Sequence, residues 1–205
     1  FDLLLEGVGN LAQFGTFTVT TAANARYTQP YWKRNYKVDR YDIEIPEHHT
    51  LPWSPSDVQA RFAFSSEGTT FGRTQAAQYR YEGPWVGGEK QKEVNIVPTL
   101  SVHLTPEVVV APKSAVAVKR EMRVTVKNGA KGAVDAVVTI DAGKLKVDPA
   151  STPLRFRYEG EELTVRFFVT VPAGTPEAEF PLKAKATANG EDFTTGYQVI
   201  AYDHT

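Results

Sequence analysis

Alternation of apolar and polar residues recurs in the second half of the chain and predicts half-buried β-strands. Between residues 116 and 127 one parity is mostly apolar and the other is mostly charged or polar. The stretches 163–171 and 180–186 alternate in the same way, and 16–20 begins a similar run in the first half. Because neighbouring side chains on a strand point to opposite faces, each run has one buried and one exposed face. The pattern predicts an all-β protein.

The same alternation predicts the core of the second half. We expect inward-facing apolar side chains to fill the space between two sheets, namely Val124, Val126, Val138, Leu163, Val165, Phe167 and Leu182. By parity, Phe168 points outward.

Dipeptides that contain glycine separate the predicted strands. Asn128-Gly129, Glu159-Gly160 and Asn189-Gly190 each place Gly where the backbone adopts positive φ without steric cost. Asn189-Gly190 lies between the strand-like segments 180–188 and 193–202, so we expect a β-hairpin there.

The chain divides into two halves of different composition. Residues 1–106 are rich in Tyr, Trp and Pro and predict an aromatic-rich, β-sandwich-like domain. Residues 107–205 hold about seven short strands with regular turns, which is typical of an immunoglobulin-like β-sandwich. The boundary is predicted near Thr105-Pro106, where one strand ends and another begins. We therefore expect two tandem β-sandwich domains.

Composition and charge narrow the classes of function. The 205 residues are 41% hydrophobic and 23% charged, as in a folded protein. The formal net charge of -1 argues against a broad nucleic-acid-binding surface. There is no cysteine, which excludes disulfides, thiolate metal sites and cysteine nucleophiles. No apolar run approaches the roughly 18 residues that predict a membrane span.

Candidate catalytic residues are sparse. His48 and His49 are neighbours in a polar loop, and adjacent side chains on an extended chain diverge, so a solvated turn is favoured over a metal site. A metal hydrolase built on these two residues is the least favoured hypothesis. His103 and His204 have no partner at a recognised ligand spacing. The sequence therefore predicts no catalytic residue, no metal site and no cofactor.

The first half contains many aromatic side chains but few candidate catalytic residues. We single out five as a candidate surface for carbohydrate or for docking of a neighbouring domain: Tyr31, Trp32, Tyr36, Trp53 and Trp85. Exposed rings beside polar groups stack on sugar faces. The alternative, which base rates favour, is that the rings close the ends of a sandwich or pack against another domain. Solvent-exposed rings would favour sugar binding, and buried rings would favour a scaffold.

Several segments resemble a known family. They are TFTVTTAA (16–23), YTQPYW (27–32), IVP and LSV (96–98 and 100–102), YEGEE (158–162) and GYQVIAYD (196–203). Together they resemble the region that follows the catalytic domain in long bacterial LmbE-like (PIG-L family) deacetylases. The second half resembles the Ig-like domains associated with carbohydrate-active enzymes. These motifs are structural and say nothing about activity.

The resemblance implies a non-catalytic role. The family's catalytic domain binds zinc through a His-Pro-Asp-Asp motif, which does not occur here, so no catalytic residue is carried over. Because the chain begins at Phe1 without an initiator Met, we expect it to be a piece of a longer protein. The resemblance implies an accessory module that positions or shields the catalytic domain of the same parent chain, in the periplasm or outside the cell. The alternative is a carbohydrate-binding module.

Overall fold

The structure is a computed structural model that describes residues 18–22, 25–35, 37–52, 54–82 and 89–198. The described residues form fourteen strands, all in antiparallel pairs, and one single turn of 3-10 helix at Pro46–His48. The prediction of an all-β fold is confirmed. The chain separates between Ile96 and Val97 into two compact units.

The described part of the first unit consists of three separate two-stranded sheets. They are formed by β1 with β2, β3 with β4, and β5 with β6. The bounds are Trp32–Asn35 (β1), Arg40–Ile43 (β2), Gln59–Ser66 (β3), Thr69–Ala76 (β4), Gln78–Glu82 (β5) and Glu89–Glu93 (β6).

The hairpin β3–β4 owes its register to a two-residue turn. Glu67 and Gly68 both have positive φ, 48° and 79°. Two consecutive residues of this kind match the twist of the flanking strands and pair Ser66 with Thr69 directly. The tight turn places Phe64 directly opposite Phe71.

Thr28 connects distant segments of the first unit. Its hydroxyl donates to the Asp57 carboxylate and accepts a hydrogen bond from the Ile96 backbone N–H at 2.8 Å. The Thr28 N–H in turn donates to the Ile96 carbonyl, also at 2.8 Å. No described residue between 18 and 96 is fully buried. The described parts of this unit are therefore joined by hydrogen bonds and ring contacts, and not by a buried apolar core.

The second unit consists of two four-stranded sheets with the core between them. One sheet has the order β10-β12-β8-β7 and the other β11-β9-β13-β14. The bounds are Leu100–Thr105 (β7), Val118–Asn128 (β8), Val134–Asp141 (β9), Lys146–Asp148 (β10), Thr152–Phe156 (β11), Glu162–Val171 (β12), Lys183–Ala188 (β13) and Glu191–Phe193 (β14). In chain order this is the A-B-E-D and C-F-G arrangement of an immunoglobulin-like sandwich, with β11 added at the edge beside β9.

The predicted core residues face the interior of this sandwich. Val124, Val126, Val138 and Phe167 are fully buried, while the three other predicted core residues are half-buried and pack against them. Phe168 lies on the opposite face of β12, as predicted, with the Lys119 ammonium 4.2 Å from its ring centre.

Strand β7 belongs to the second unit, whereas the sequence boundary at residue 106 assigns it to the first half. It pairs with β8 in a register that sets Val102 opposite Val126, and Leu100 and Val102 are buried in the core. The break at Pro106 is therefore a bend that follows the first strand of the sandwich.

A buried polar corner closes one end of the sandwich. The Asn128 side-chain amide donates to the carbonyls of Gly132 (2.9 Å) and Tyr158 (3.0 Å), and its oxygen accepts from the Ala130 N–H at 3.0 Å. Asn128 is fully buried, so this one side chain ties backbone groups of two turns to the end of the core. The chain turns after Asn128 as predicted, but the glycine with positive φ is Gly132 (101°) and not the predicted Gly129.

The predicted hairpin at Asn189-Gly190 is confirmed. Both residues have positive φ, and β13 pairs with β14 across them. The second strand is shorter than expected, because β14 ends at Phe193 and the chain continues along β7. There the Val102 N–H donates to the Thr195 carbonyl at 3.1 Å.

Candidate functional site

Two of the five predicted site residues, Tyr31 and Trp32, lie at the start of the β1–β2 hairpin. Tyr36, Trp53 and Trp85 lie outside the described residues. The hairpin pairs Trp32 with Ile43 and Arg34 with Tyr41.

Trp32 remains accessible to solvent. Its ring lies edge-to-face with Tyr41, with ring centres 4.9 Å apart and an angle of 86° between the planes. Trp32 is 45% exposed and Tyr41 is 59% exposed. This geometry suits the ring quadrupoles and leaves part of the indole open to solvent.

Tyr31 has a structural environment. Its hydroxyl donates to the Leu51 carbonyl at 3.0 Å, and its ring meets the His48 ring edge-on with 6.1 Å between centres. Tyr31 is half-buried, so it anchors the segment that contains the 3-10 turn. Of the two described site residues, Trp32 is therefore the accessible one.

The hairpin β3–β4 carries a second aromatic face, which the sequence analysis missed. Phe62 and Phe64 are two positions apart on β3, and their rings are nearly parallel (14°) with centres 6.3 Å apart. Phe71 is directly opposite Phe64 on the same face, and these two side chains are 59% and 53% exposed, respectively. The alternating Phe residues and the Glu67-Gly68 turn were signals present in the sequence.

The third ribbon adds two tyrosines and fixed charges. Tyr79 and Tyr81 lie on one face of β5 with ring centres 5.6 Å apart, and the Lys92 ammonium is 5.1 Å from the Tyr81 ring centre. Arg80 forms an ion pair with Glu89 at 3.2 Å. Each ribbon of the first unit therefore presents at least one exposed aromatic side chain.

The histidines do not converge in the described part of the chain. Within it, no group of three or more His, Asp or Glu side chains is arranged to hold a metal ion. His48 ends the 3-10 turn beside Tyr31, and its Nδ1 is buried without a hydrogen-bond partner among the described residues. His103 lies on β7, where its Nε2 is 3.3 Å from the Ser101 hydroxyl.

The second unit has a shallow groove on its outer face. The groove has a volume of about 480 Å³ and lies over β9, β11 and β13, with Val137, Pro153 and Arg155 among its lining residues. Arg155 is held by Asp135 at 3.6 Å. The groove contains no arrangement of a nucleophile and a base.

Clear pKa shifts occur only in the second unit among the described residues. The Arg157 backbone N–H and guanidinium bind the Glu161 carboxylate and lower its pKa below the ordinary value. The Thr187 hydroxyl and the Lys185 ammonium similarly lower the pKa of Asp192. Both pairs connect neighbouring turns or strands and are structural.

Neither the family models nor the curated proteins that were compared with the chain gave a match. Among the described residues, no helix is long and apolar enough to cross a membrane. The fold and the site thus define an all-β protein in which an immunoglobulin-like sandwich follows a unit of aromatic ribbons.

Proposed function

We propose that the chain is a non-catalytic accessory module of an LmbE-like (PIG-L family) deacetylase. In this proposal it positions or shields the catalytic domain of its parent polypeptide, in the periplasm or outside the cell. The resemblance of segments such as 27–32 and 158–162 motivates the choice of family.

The observation that carries the docking role is the exposure of aromatic side chains in the first unit. Among the described residues between 18 and 96, ten large hydrophobic side chains have substantial exposure: Val19, Tyr27, Trp32, Val38, Tyr41, Leu51, Phe64, Phe71, Tyr79 and Val94. Two-stranded ribbons without a covered face are marginal in water, and clustered apolar exposure marks interaction surfaces. A partner domain that covers these rings would supply the missing burial.

The choice of partner is tested by binding. An LmbE-like catalytic domain, encoded in the same reading frame or the same genome, is titrated with the chain in a calorimeter. We expect a complex that Phe64→Ser together with Phe71→Ser weakens by about tenfold or more. The control Val137→Ser removes an apolar side chain of comparable exposure from the second unit and should leave affinity unchanged. Absence of a complex, or equal weakening by the control, would remove the docking role.

Carbohydrate binding is the second candidate, and the exposed indole of Trp32 favours it. Aromatic faces stack on sugar rings, and Arg34 and Asp39 form an ion pair at 3.0 Å in the same hairpin. A sugar site needs only a few such groups at a surface.

Tryptophan fluorescence distinguishes the two candidates. Titration with oligomers of N-acetylated amino sugars would give a saturable shift if the first unit binds sugar. That shift should disappear in Trp32→Ala and persist in Tyr158→Ala, which removes an exposed ring from the second unit. If no shift occurs and the catalytic domain binds, the docking role stands alone.

A further inference from the structure

One outer face of the sandwich, formed by β8 and β12, carries a cross-strand register of charged and polar pairs. Along these two paired strands, Lys127 is opposite Glu162, Thr125 is opposite Thr164, and Arg123 is opposite Arg166. The first pair is an ion pair at 3.1 Å, and the two threonine hydroxyls are 2.9 Å apart. Both pairs are complementary, as expected for directly opposed residues on a sheet.

The pair Arg123–Arg166 breaks this rule. Like charges placed directly opposite each other on neighbouring strands repel, and the repulsion lowers the stability of the sheet. Both side chains are exposed and lie above the fully buried Val124 and Phe167, so the strands cannot slip to separate them.

One carboxylate partly offsets the repulsion. Glu121 binds the Arg123 guanidinium at 2.8 Å, and this bond together with the nearby charge of Arg166 lowers the pKa of Glu121. Among the described residues, no carboxylate oxygen lies within ion-pair distance of Arg166. Asp148, at the end of β10 opposite Phe168, is the third carboxylate of this face. Two guanidiniums therefore share one close carboxylate.

We propose that Arg123 and Arg166 bind an oxyanion group, carboxylate or sulfate, of an acidic polysaccharide. A guanidinium binds such a group through two parallel N–H donors, and an oxyanion between the two arginines would neutralise their repulsion. The hydroxyls of Thr125 and Thr164 lie in the next row of the same face, where they are placed to bond sugar hydroxyls.

The openness of an outer sheet face and its limited charge select this class of ligand. The outer surface of a sheet has no enclosure for a small anion, whereas an extended chain can lie along the two strands. Nucleic acid would require a broader basic surface, and three carboxylates (Glu121, Asp148 and Glu162) lie among the cations here. This site is in the second unit, so its test is independent of the docking proposed for the first.

The test measures binding of polygalacturonate and of dextran sulfate to the whole chain by calorimetry at fixed ionic strength. We expect saturable binding of at least one of these polymers and none of uncharged dextran. Arg166→Gln should weaken that binding by about tenfold, because a charge-assisted pair is lost. Arg166→Lys, which keeps the charge without the planar fork, should have an intermediate affinity.

The matched control is Arg155→Gln, which removes an exposed arginine from the outer face of the other sheet. It should leave the affinity unchanged, and equal weakening by both glutamine variants would reduce the site to diffuse charge and overturn the proposal. Inorganic sulfate that binds as tightly as the polymers, or polydeoxythymidylate that binds more tightly, would also overturn it. Because Arg166→Gln relieves a repulsion, its melting temperature should not fall. A lower melting temperature of this variant would instead assign a structural role to Arg166.

Discussion

The two units use the same building block, the antiparallel hairpin, in opposite ways. In the described part of the second unit eight strands face each other as two sheets and bury sixteen hydrophobic residues between them. In the described part of the first unit six strands form three separate ribbons, and no side chain is fully buried. Strand content is therefore a poor guide to which part of the chain can hold its own structure.

The difference lies in what covers each ribbon. The rings of Phe64 and Phe71 occupy one face of β3–β4, as Val124 and Phe167 occupy one face of β8–β12. In the second case another sheet covers that face, and burial of each such side chain stabilises by about 1.5–3 kcal/mol. In the first case the rings remain largely exposed. The same kind of pattern thus gives a core in one unit and an exposed surface in the other.

The largest expected effect is that of removing a core ring. Phe167→Ala should lower the free energy of unfolding by about 3–5 kcal/mol, because the side chain is completely buried. Phe64→Ala, the same change on an exposed ribbon, should cost less than about 0.5 kcal/mol. Urea unfolding followed by far-UV circular dichroism measures both. Tryptophan fluorescence reports on the first half alone, since all three Trp residues lie there. Equal losses in the free energy of unfolding for the two variants would show that the first unit has a core of its own.

A smaller effect is expected at the polar corner of the sandwich. Asn128→Ala removes the hydrogen bonds that a fully buried side chain makes to three backbone groups, and should cost about 1–3 kcal/mol. Asn95→Ala, at an exposed position in the first unit, is the control and should be neutral. The same urea titration applies. A neutral Asn128→Ala would mean that water replaces the side chain.

The smallest effect is the dependence of stability on pH. The folded pKa of Glu161 is below the ordinary value of 4.5, so its carboxylate stabilises the fold fully above that pH. This contribution is lost as pH falls through the lowered folded pKa. Glu161→Gln should therefore reduce the acid-induced loss of stability below about pH 4.5. Melting temperatures measured from pH 7 to about 2.5 would show this smaller loss of stability. Identical profiles for the variant and the parent would refute the stabilising role of the Glu161 carboxylate.

The sequence predicts the second unit better than the first, for a physical reason. Alternation around Val124 and Phe167 specifies which face is buried, and Asn189-Gly190 specifies a hairpin by its turn geometry. The sequence assigns β7 to the first half because one strand ends near Thr105-Pro106 and another begins after it, although Leu100 and Val102 have the alternation of a core strand. The pairing of β7 with β8 places it in the second unit, and no local pattern in the sequence shows that pairing.

The candidate site in the first half could be predicted only in part. A sequence shows that Trp32 is aromatic and lies near a turn, but its exposure depends on what packs over it. Phe64 and Phe71 are not among the predicted site residues, because alternating Phe residues in a strand are as typical of a buried face as of an exposed one. The pairing of Arg123 with Arg166 was also hidden, since they are 43 positions apart and meet only through the register of β8 and β12.

Hydrogen–deuterium exchange of the whole chain tests the contrast between the units most directly. Amides in the paired centres of β8 and β12 should exchange slowly, because opening them requires unfolding of the sandwich. Amides of β3 and β4 should exchange much faster in the chain alone and become protected when the catalytic domain binds. Equally slow exchange of both units in the isolated chain would contradict the account, since the first unit would then be stable without a partner.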